Sequence, residues 1–136
     1  MNIAVRYYSR SGNTGKIARV IADTAGVVEQ LCDKPLKEPV DVLFLGGAIY
    51  GGEVDRELKR FISSLRQDMV GLVAIFSTTA VKSSAFFEIK ELIDQRDIPV
   101  SENEFHCRGR FTLVHRGRPN ERDLKQAADF ARLFLK

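Results

Sequence analysis

The sequence predicts an α/β domain, in which a parallel sheet of five strands is covered by helices on both faces. Three observations carry this. Apolar runs of strand length alternate along the whole chain with stretches whose apolar residues recur at helical spacing. The run Val40 to Leu45 is nearly all apolar, as a strand covered on both faces of a parallel sheet must be. The connections are short, which leaves room for right-handed crossovers and little else.

In order, Ile3 to Tyr8 reads as the first strand, and Ile17, Ala18, Ile21 and Ala25 mark one side of the helix that follows. Gly26 ends that helix, because glycine takes the left-handed conformation of a helix terminus at little cost. Val27, Val28 and Leu31 make a short second strand, and Asp33 to Pro39, polar and with two prolines, a connecting loop. The third strand, Val40 to Leu45, runs into Gly46-Gly47-Ala48-Ile49-Tyr50-Gly51-Gly52, expected as a tight, exposed turn. From Val54 to Leu65 the residues Leu58, Phe61, Ile62 and Leu65 fall at i, i+3, i+4 and i+7, one buried helical face. Gly71 opens a fourth strand, Leu72 to Phe76, followed by a polar turn from Ser77 to Ala80. Ala85, Phe86, Ile89, Leu92 and Ile93 mark a helix that stops before Pro99, and Glu104 to Cys107 is a fifth strand. Pro119-Asn120 opens the last helix, with Leu124, Ala127, Ala128, Ala131 and Phe134 inward and Asn120 with Asp123 as a cap pair.

A chain of 136 residues suffices for one domain, residues 1–136, around one core. Its 44% hydrophobic and 29% charged residues are those of a water-soluble globular protein. No charged-then-apolar leader opens the chain and no apolar run is long enough for a bilayer, so no membrane span and a cytoplasmic location are expected. Cys32 and Cys107 lie far apart and no histidine cluster joins them, which leaves no metal-ligand pattern and suggests two buried thiols. His106-Cys107 lacks the arginine that a phosphatase loop requires six residues after its cysteine, because Leu113 stands there.

The richest chemistry lies in Ser9-Arg10-Ser11-Gly12-Asn13-Thr14, between the first strand and its helix. A turn of this kind leaves the first backbone N–H groups of the helix unpaired and aimed at one spot, where the helix dipole adds its pull. Ser9, Ser11 and Thr14 can donate hydroxyls and Asn13 an amide, and Gly12 lets the backbone close on a ligand. The donor set suits a phosphate monoester. The plainer alternative is a helix start capped by Ser or Thr. A Walker A loop is excluded, since Arg10 stands where its first glycine belongs and Ile17 where its Ser or Thr belongs. A dinucleotide fingerprint fails for want of glycines.

Tyr-Tyr-Ser-Arg-Ser-Gly-Asn-Thr, residues 7 to 14, resembles the FMN phosphate loop of the flavodoxin family, although Gly15-Lys16 stands where that family usually carries an acid. Gly-Gly-Ala-Ile-Tyr-Gly followed by Leu-Lys-x-Phe-Ile is similar to the family's second flavin loop, and Phe76-Ser77-Thr78-Thr79 to a Phe-Ser-Thr-Ser-Gly pattern, with Ala80 replacing the glycine. The resemblance covers nearly the full chain. It implies a flavodoxin-like three-layer sandwich with strand order 2-1-3-4-5 and one noncovalent FMN in an electron-transfer protein, with no catalytic residue. The cofactor contacts it implies are Ser9, Arg10, Ser11, Gly12, Asn13 and Thr14 for the phosphate, and Ala48, Ile49, Tyr50, Gly51, Gly52, Ser77, Thr78, Thr79 and Ala80 around the ring. Two features depart from the family: there is no tryptophan, leaving Phe86 or Phe87 for the ring's second side or for the core, and the chain is basic, with a net charge of +3.

Much of that charge lies between His106 and Arg122, where Arg108, Arg110, Arg116 and Arg118 face one acid, Glu121. Three readings stand: a solvated loop, an acidic redox partner protein steered by charge, or the extra phosphate of NADPH, which would make the protein an NAD(P)H-dependent FMN or quinone reductase. Nucleic acid is not expected, because no groove-reading motif accompanies the arginines. A response-regulator receiver, which shares the architecture, lacks its acidic pair, its aspartate and its lysine here. A member of the fold without cofactor, kept as an interaction module, is the remaining alternative. The sequence is silent on oligomeric state.

Overall fold

A computed structural model describes residues 1–10, 12–50, 53–79, 85–108 and 117–135, with backbone alone for Ile49, Tyr50 and Arg108. Along the chain it runs β1 (Ile3–Tyr7), α1 (Asn13–Ala25), β2 (Gln30–Leu31), β3 (Val40–Tyr50), β4 (Glu53–Val54), α2 (Arg56–Ser64), β5 (Val70–Thr79), α3 (Phe86–Asp94), β6 (Phe105–Arg108) and α4 (Glu121–Arg132). The sheet order is β2-β1-β3-β5-β6, every neighbouring pair parallel, with β4 antiparallel on β3 and off this path. The parallel strands therefore follow second, first, third, fourth, fifth, and the added β4 is what shifts the labels from the expected 2-1-3-4-5.

Alternation along the strands divides the core into two layers. On one face Ala4, Leu43, Leu45, Val73 and Ile75 pack under Leu58 and Ile62 of α2 and Ile89 and Ile93 of α3. On the other Val5, Val42, Phe44, Ala74 and Phe76 pack under Ile17 and Ile21 of α1 and Ala127 and Phe130 of α4. Phe130, absent from the inward face expected of the last helix, meets Phe44 edge-on with centroids 6.0 Å apart. Gly26 closes α1 at φ 76°, with its N–H on Asp23 O and the Val27 N–H on Ala22 O, the paired bonds of a Schellman motif.

Four expectations are corrected. Residues 46 to 50 are not a turn: β3 continues to Tyr50, paired with β1 at Gly46, with β5 from Gly46 to Ala48 and with β4 at Ile49 and Tyr50. The glycines serve packing, because a Cβ on Gly46 would run into the Phe76 ring and one on Gly47 would lie 2.5 Å from Leu58 Cδ2. Ser77 to Thr79 are likewise strand, since β6 pairs with β5 through Thr79 and β3 with it through Thr78. Val54 belongs to β4, and α2 begins only after Asp55, its N-cap. Val27 and Val28 lie outside β2, Val28 standing 75% exposed, because the Val27 amide is taken by the end of α1.

Between β2 and β3 the chain crosses without a helix, as the two prolines suggested, so the pattern of five strand–helix units is interrupted here. Arg6, buried in β1 beneath this connection, holds it by donating from Nε to Lys34 O at 2.8 Å and from Nη2 to Pro35 O at 3.4 Å. Burial pushes its guanidinium below the ordinary value.

Candidate functional site

The carboxyl ends of β1, β3 and β5 lie side by side where the strand order reverses, which is where ligands sit in open α/β sheets. Tyr8 keeps β1 in register by donating its N–H to Gly46 O at 3.1 Å, and the chain then turns through Ser9 and Arg10 into α1. Gly12 stands before the helix at φ 86° with nothing within 4 Å of where a Cβ would be, and its N–H donates to Ser9 Oγ at 2.9 Å. Among the described residues no side chain caps the helix, and no acid lies in its first turn. The Ser or Thr cap that was the plainer alternative is therefore not what starts α1.

Asn13 and Thr14 are buried. Thr14 Oγ1 lies 2.8 Å from Thr78 Oγ1, a hydrogen bond that joins the first turn of α1 to the end of β5. Thr78 stands opposite Ala48 of β3, itself buried, so Thr14, Thr78 and Ala48 converge. One residue earlier, the buried Ser77 hydroxyl finds no hydrogen-bond partner among the described residues, a donor of the kind that ordinarily has one. Thr79 is buried at the end of the strand, in register with Arg108. Ser11, Gly51, Gly52 and Ala80, and the side chains of Ile49 and Tyr50, lie outside the described residues.

Past the end of β3, Tyr50 pairs with Glu53 and Ile49 with Val54. Two acids absent from the sequence-based site residues hold this antiparallel pair. The Glu88 carboxylate of α3 accepts the Val54 N–H at 3.1 and 3.2 Å. Asp55 caps α2 by accepting the Glu57 N–H at 2.8 Å through Oδ1, while Oδ2 accepts Arg10 Nη2 at 2.7 Å. Asp55 before an apolar helical period is a legible cap; its bond to Arg10 is not, because 45 residues separate them. A polar cleft lined by Tyr8, Arg10, Glu53, Asp55 and Lys59 opens beside the loop.

Of the two phenylalanines considered for the ring's second side, Phe86 is core and Phe87 is 78% exposed, the rings packed edge-on with centroids 5.2 Å apart. Phe87 is thus no core residue. Residues 109–116 of the basic stretch lie outside the described residues. At its far end Arg118 is engaged by Asp123, Nη2 to Oδ1 at 2.8 Å, so that charge is paired within the fold. Both thiols are buried: burial, then the charges of Glu57 and Asp33, pushes Cys32 up to about 11, and burial, then Asp123, pushes Cys107 up to about 12. No helix among the described residues is long and apolar enough to cross a membrane.

Sheet order, an open helix start at the reversal and a pair of strand ends beside it define a doubly wound domain with a candidate ligand crevice at the carboxyl ends of its strands. A family model described as a flavodoxin domain matches residues 4–98, and the chain belongs to that family. It is 28% identical over 138 residues to an uncharacterized protein of Methanocaldococcus jannaschii, covering 91% of each chain. Its fold is similar to that of a flavodoxin from the domain Archaea, with a TM-score of 0.72 at 18% identity over 96% of this chain and 94% of that one. Oxidised flavodoxin 1 from Bacillus cereus matches with a TM-score of 0.71 at 18% identity, over 97% and 95%.

Proposed function

We propose that this protein binds FMN noncovalently at the carboxyl ends of β1, β3 and β5 and carries electrons between redox proteins. The observation that carries the reading is the open start of α1, with Gly12 in place of a side-chain cap and no acid in the first turn. That end presents backbone N–H groups and a positive dipole to an anion, and the family's phosphate-loop sequence lies on it. The donor set fits a phosphate monoester: Ser9 at the turn, the Asn13 amide, and a Thr14 hydroxyl whose oxygen is already within bonding distance of Thr78.

In this reading Ser9, Ser11, Gly12, Asn13 and Thr14 hold the phosphate, Ala48 to Gly52 border one edge of the ring, and Ser77 to Ala80 border the other. Bound FMN would supply reversible uptake and release of electrons, and no side chain of the protein need act as acid or base. The missing side chains of Gly46 and Gly47 let Phe76 and Leu58 pack against β3 just before that edge. Family membership supports the electron-carrying role. The chain's charge of +3 supports a partner with an acidic face.

Titration of the cofactor-free protein with FMN and with riboflavin tests this. Charge-assisted hydrogen bonds contribute about 1.5 to 3 kcal/mol each, so two of them make FMN at least about 100-fold tighter than riboflavin. Absence of both flavin-fluorescence quenching and calorimetric heat with FMN would refute the reading. The loaded protein should keep its visible spectrum when NADPH alone is added, and rapid bleaching would make it a reductase instead.

A further inference from the structure

We propose that Arg10 is a positioning residue, which ties the loop after β1 to the β3–β4 pair through Asp55 and so sets the two walls of the cleft as one unit. The inference rests on the FMN reading for its consequence and on the geometry for the tie itself. Asp55 is buried and uses both oxygens: Oδ1 takes the Glu57 N–H of α2, and Oδ2 takes Arg10 Nε at 3.1 Å and Nη2 at 2.7 Å. Because the cap holds the carboxylate in place, the guanidinium has a fixed acceptor rather than a mobile one.

Asp55 directly follows β4, which pairs with Ile49 and Tyr50 at the end of β3. On its other side β4 is held by Glu88, whose carboxylate accepts the Val54 N–H, and Lys59 lies 3.6 Å from Glu88 and 3.7 Å from Glu53. Glu88 and Lys59 anchor the pair to the helix layer. Arg10 carries it across to the phosphate loop. Its positive charge is matched by Asp55, so what it contributes to a bound nucleotide is the spacing between loop and ring edge, not a free cation. A ligand that touches both walls should therefore feel the loss of Arg10 more than one that touches only the wall beside the ring.

The test compares Arg10→Gln, Asp55→Asn, the double variant and Arg10→Lys with the unaltered protein. Asn caps a helix as well as Asp does, so Asp55→Asn removes the tie and keeps α2. Without any ligand, amide hydrogen exchange at Tyr50 and Glu53 should quicken about 2- to 5-fold in each single variant, the range of a partly exposed ion pair. The double variant should add nothing further, and Arg10→Lys should recover part of the protection. With ligand, FMN should weaken by the same factor in Arg10→Gln and in Asp55→Asn, and riboflavin, which lacks the phosphate, should weaken less. Exchange at Tyr50 and Glu53 that is unchanged in Arg10→Gln overturns the proposal. So does a loss confined to FMN in Arg10→Gln with Asp55→Asn binding normally, which would make Arg10 a phosphate ligand. If the unaltered protein binds no flavin, the functional reading falls, and the exchange result alone still decides the tie.

Discussion

Thr14 and Thr78 share one hydrogen bond although 64 positions separate them, and a hydroxyl pair of this kind has a direction to choose. When an anion accepts the Thr14 proton, the Thr14 oxygen is left to accept from Thr78, so the second threonine orients the first. Thr78→Val keeps the β-branched shape and removes that donor. FMN binding should weaken about 2- to 10-fold, the worth of one ordinary hydrogen bond, and riboflavin binding, which lacks the phosphate contact, should weaken less. Parallel titrations with the two flavins would show it, and an equal loss for both would point to disturbed packing instead. Thr14 was legible as a donor from a hydroxyl-rich turn, and Thr78 only as a ring contact that the family resemblance implied, in a stretch expected to be a turn. Their bond was not, nor was the one between Arg10 and Asp55, because local spacing says nothing about which distant hydroxyl or carboxylate comes within reach.

At the scale of elements, α4 shows local code carried through to the structure. Asn120 and Asp123 form the capping box expected of them, Asn120 Oδ1 accepting the Asp123 N–H at 3.0 Å and Asp123 Oδ2 the Asn120 N–H at 2.9 Å. Asp123 also receives Arg118, which the sequence did not announce. Burial pushes the Asp123 carboxyl up, but the hydrogen bonds from Arg118 and Asn120 outweigh it and hold the group below its usual range. A carboxyl lowered in the folded state adds stability that is complete above its unfolded value, about 3.9, and is lost as pH falls through the folded one. Melting curves between pH 6 and 3, both about, should therefore show a steeper acid fall in the native protein than in Asp123→Asn. At neutral pH that variant should lose about 1 to 3 kcal/mol, because Arg118 keeps a half-buried charge without its carboxylate. The opposite case is β3. Glycine-rich residues 46 to 52 read locally as a turn, and up to Tyr50 they form strand, because Phe76 and Leu58 fill the space their side chains would need.

Over the whole molecule the two cysteines report on both layers at once. Cys32 lies in the layer of α2 and α3, Cys107 in that of α1 and α4. With values raised to about 11 and about 12, both remain protonated thiols near neutral pH, and the thiolate is the reactive form. A disulfide-exchange reagent at neutral pH should label neither in the native protein and both after denaturation. Labelling of Cys32 alone would reveal local opening beside the helix-free crossover.

What the sequence determined by itself is what short-range chemistry can specify: the alternation of strands and helices, the ends of α1 and α4 at Gly26 and Asn120, the proline-bearing crossover, and the hydroxyl-rich stretch of residues 9 to 14 before the first helix. These depend on periodicity and on backbone preferences a few residues wide. The tertiary structure alone decided that Gly46 and Gly47 continue a strand, that Val54 pairs with Ile49, and that Arg10 and Thr14 meet Asp55 and Thr78. Packing and hydrogen bonding fall off with distance in space, and only the closed sheet turns separations of 45 and 64 residues into contacts below 3 Å.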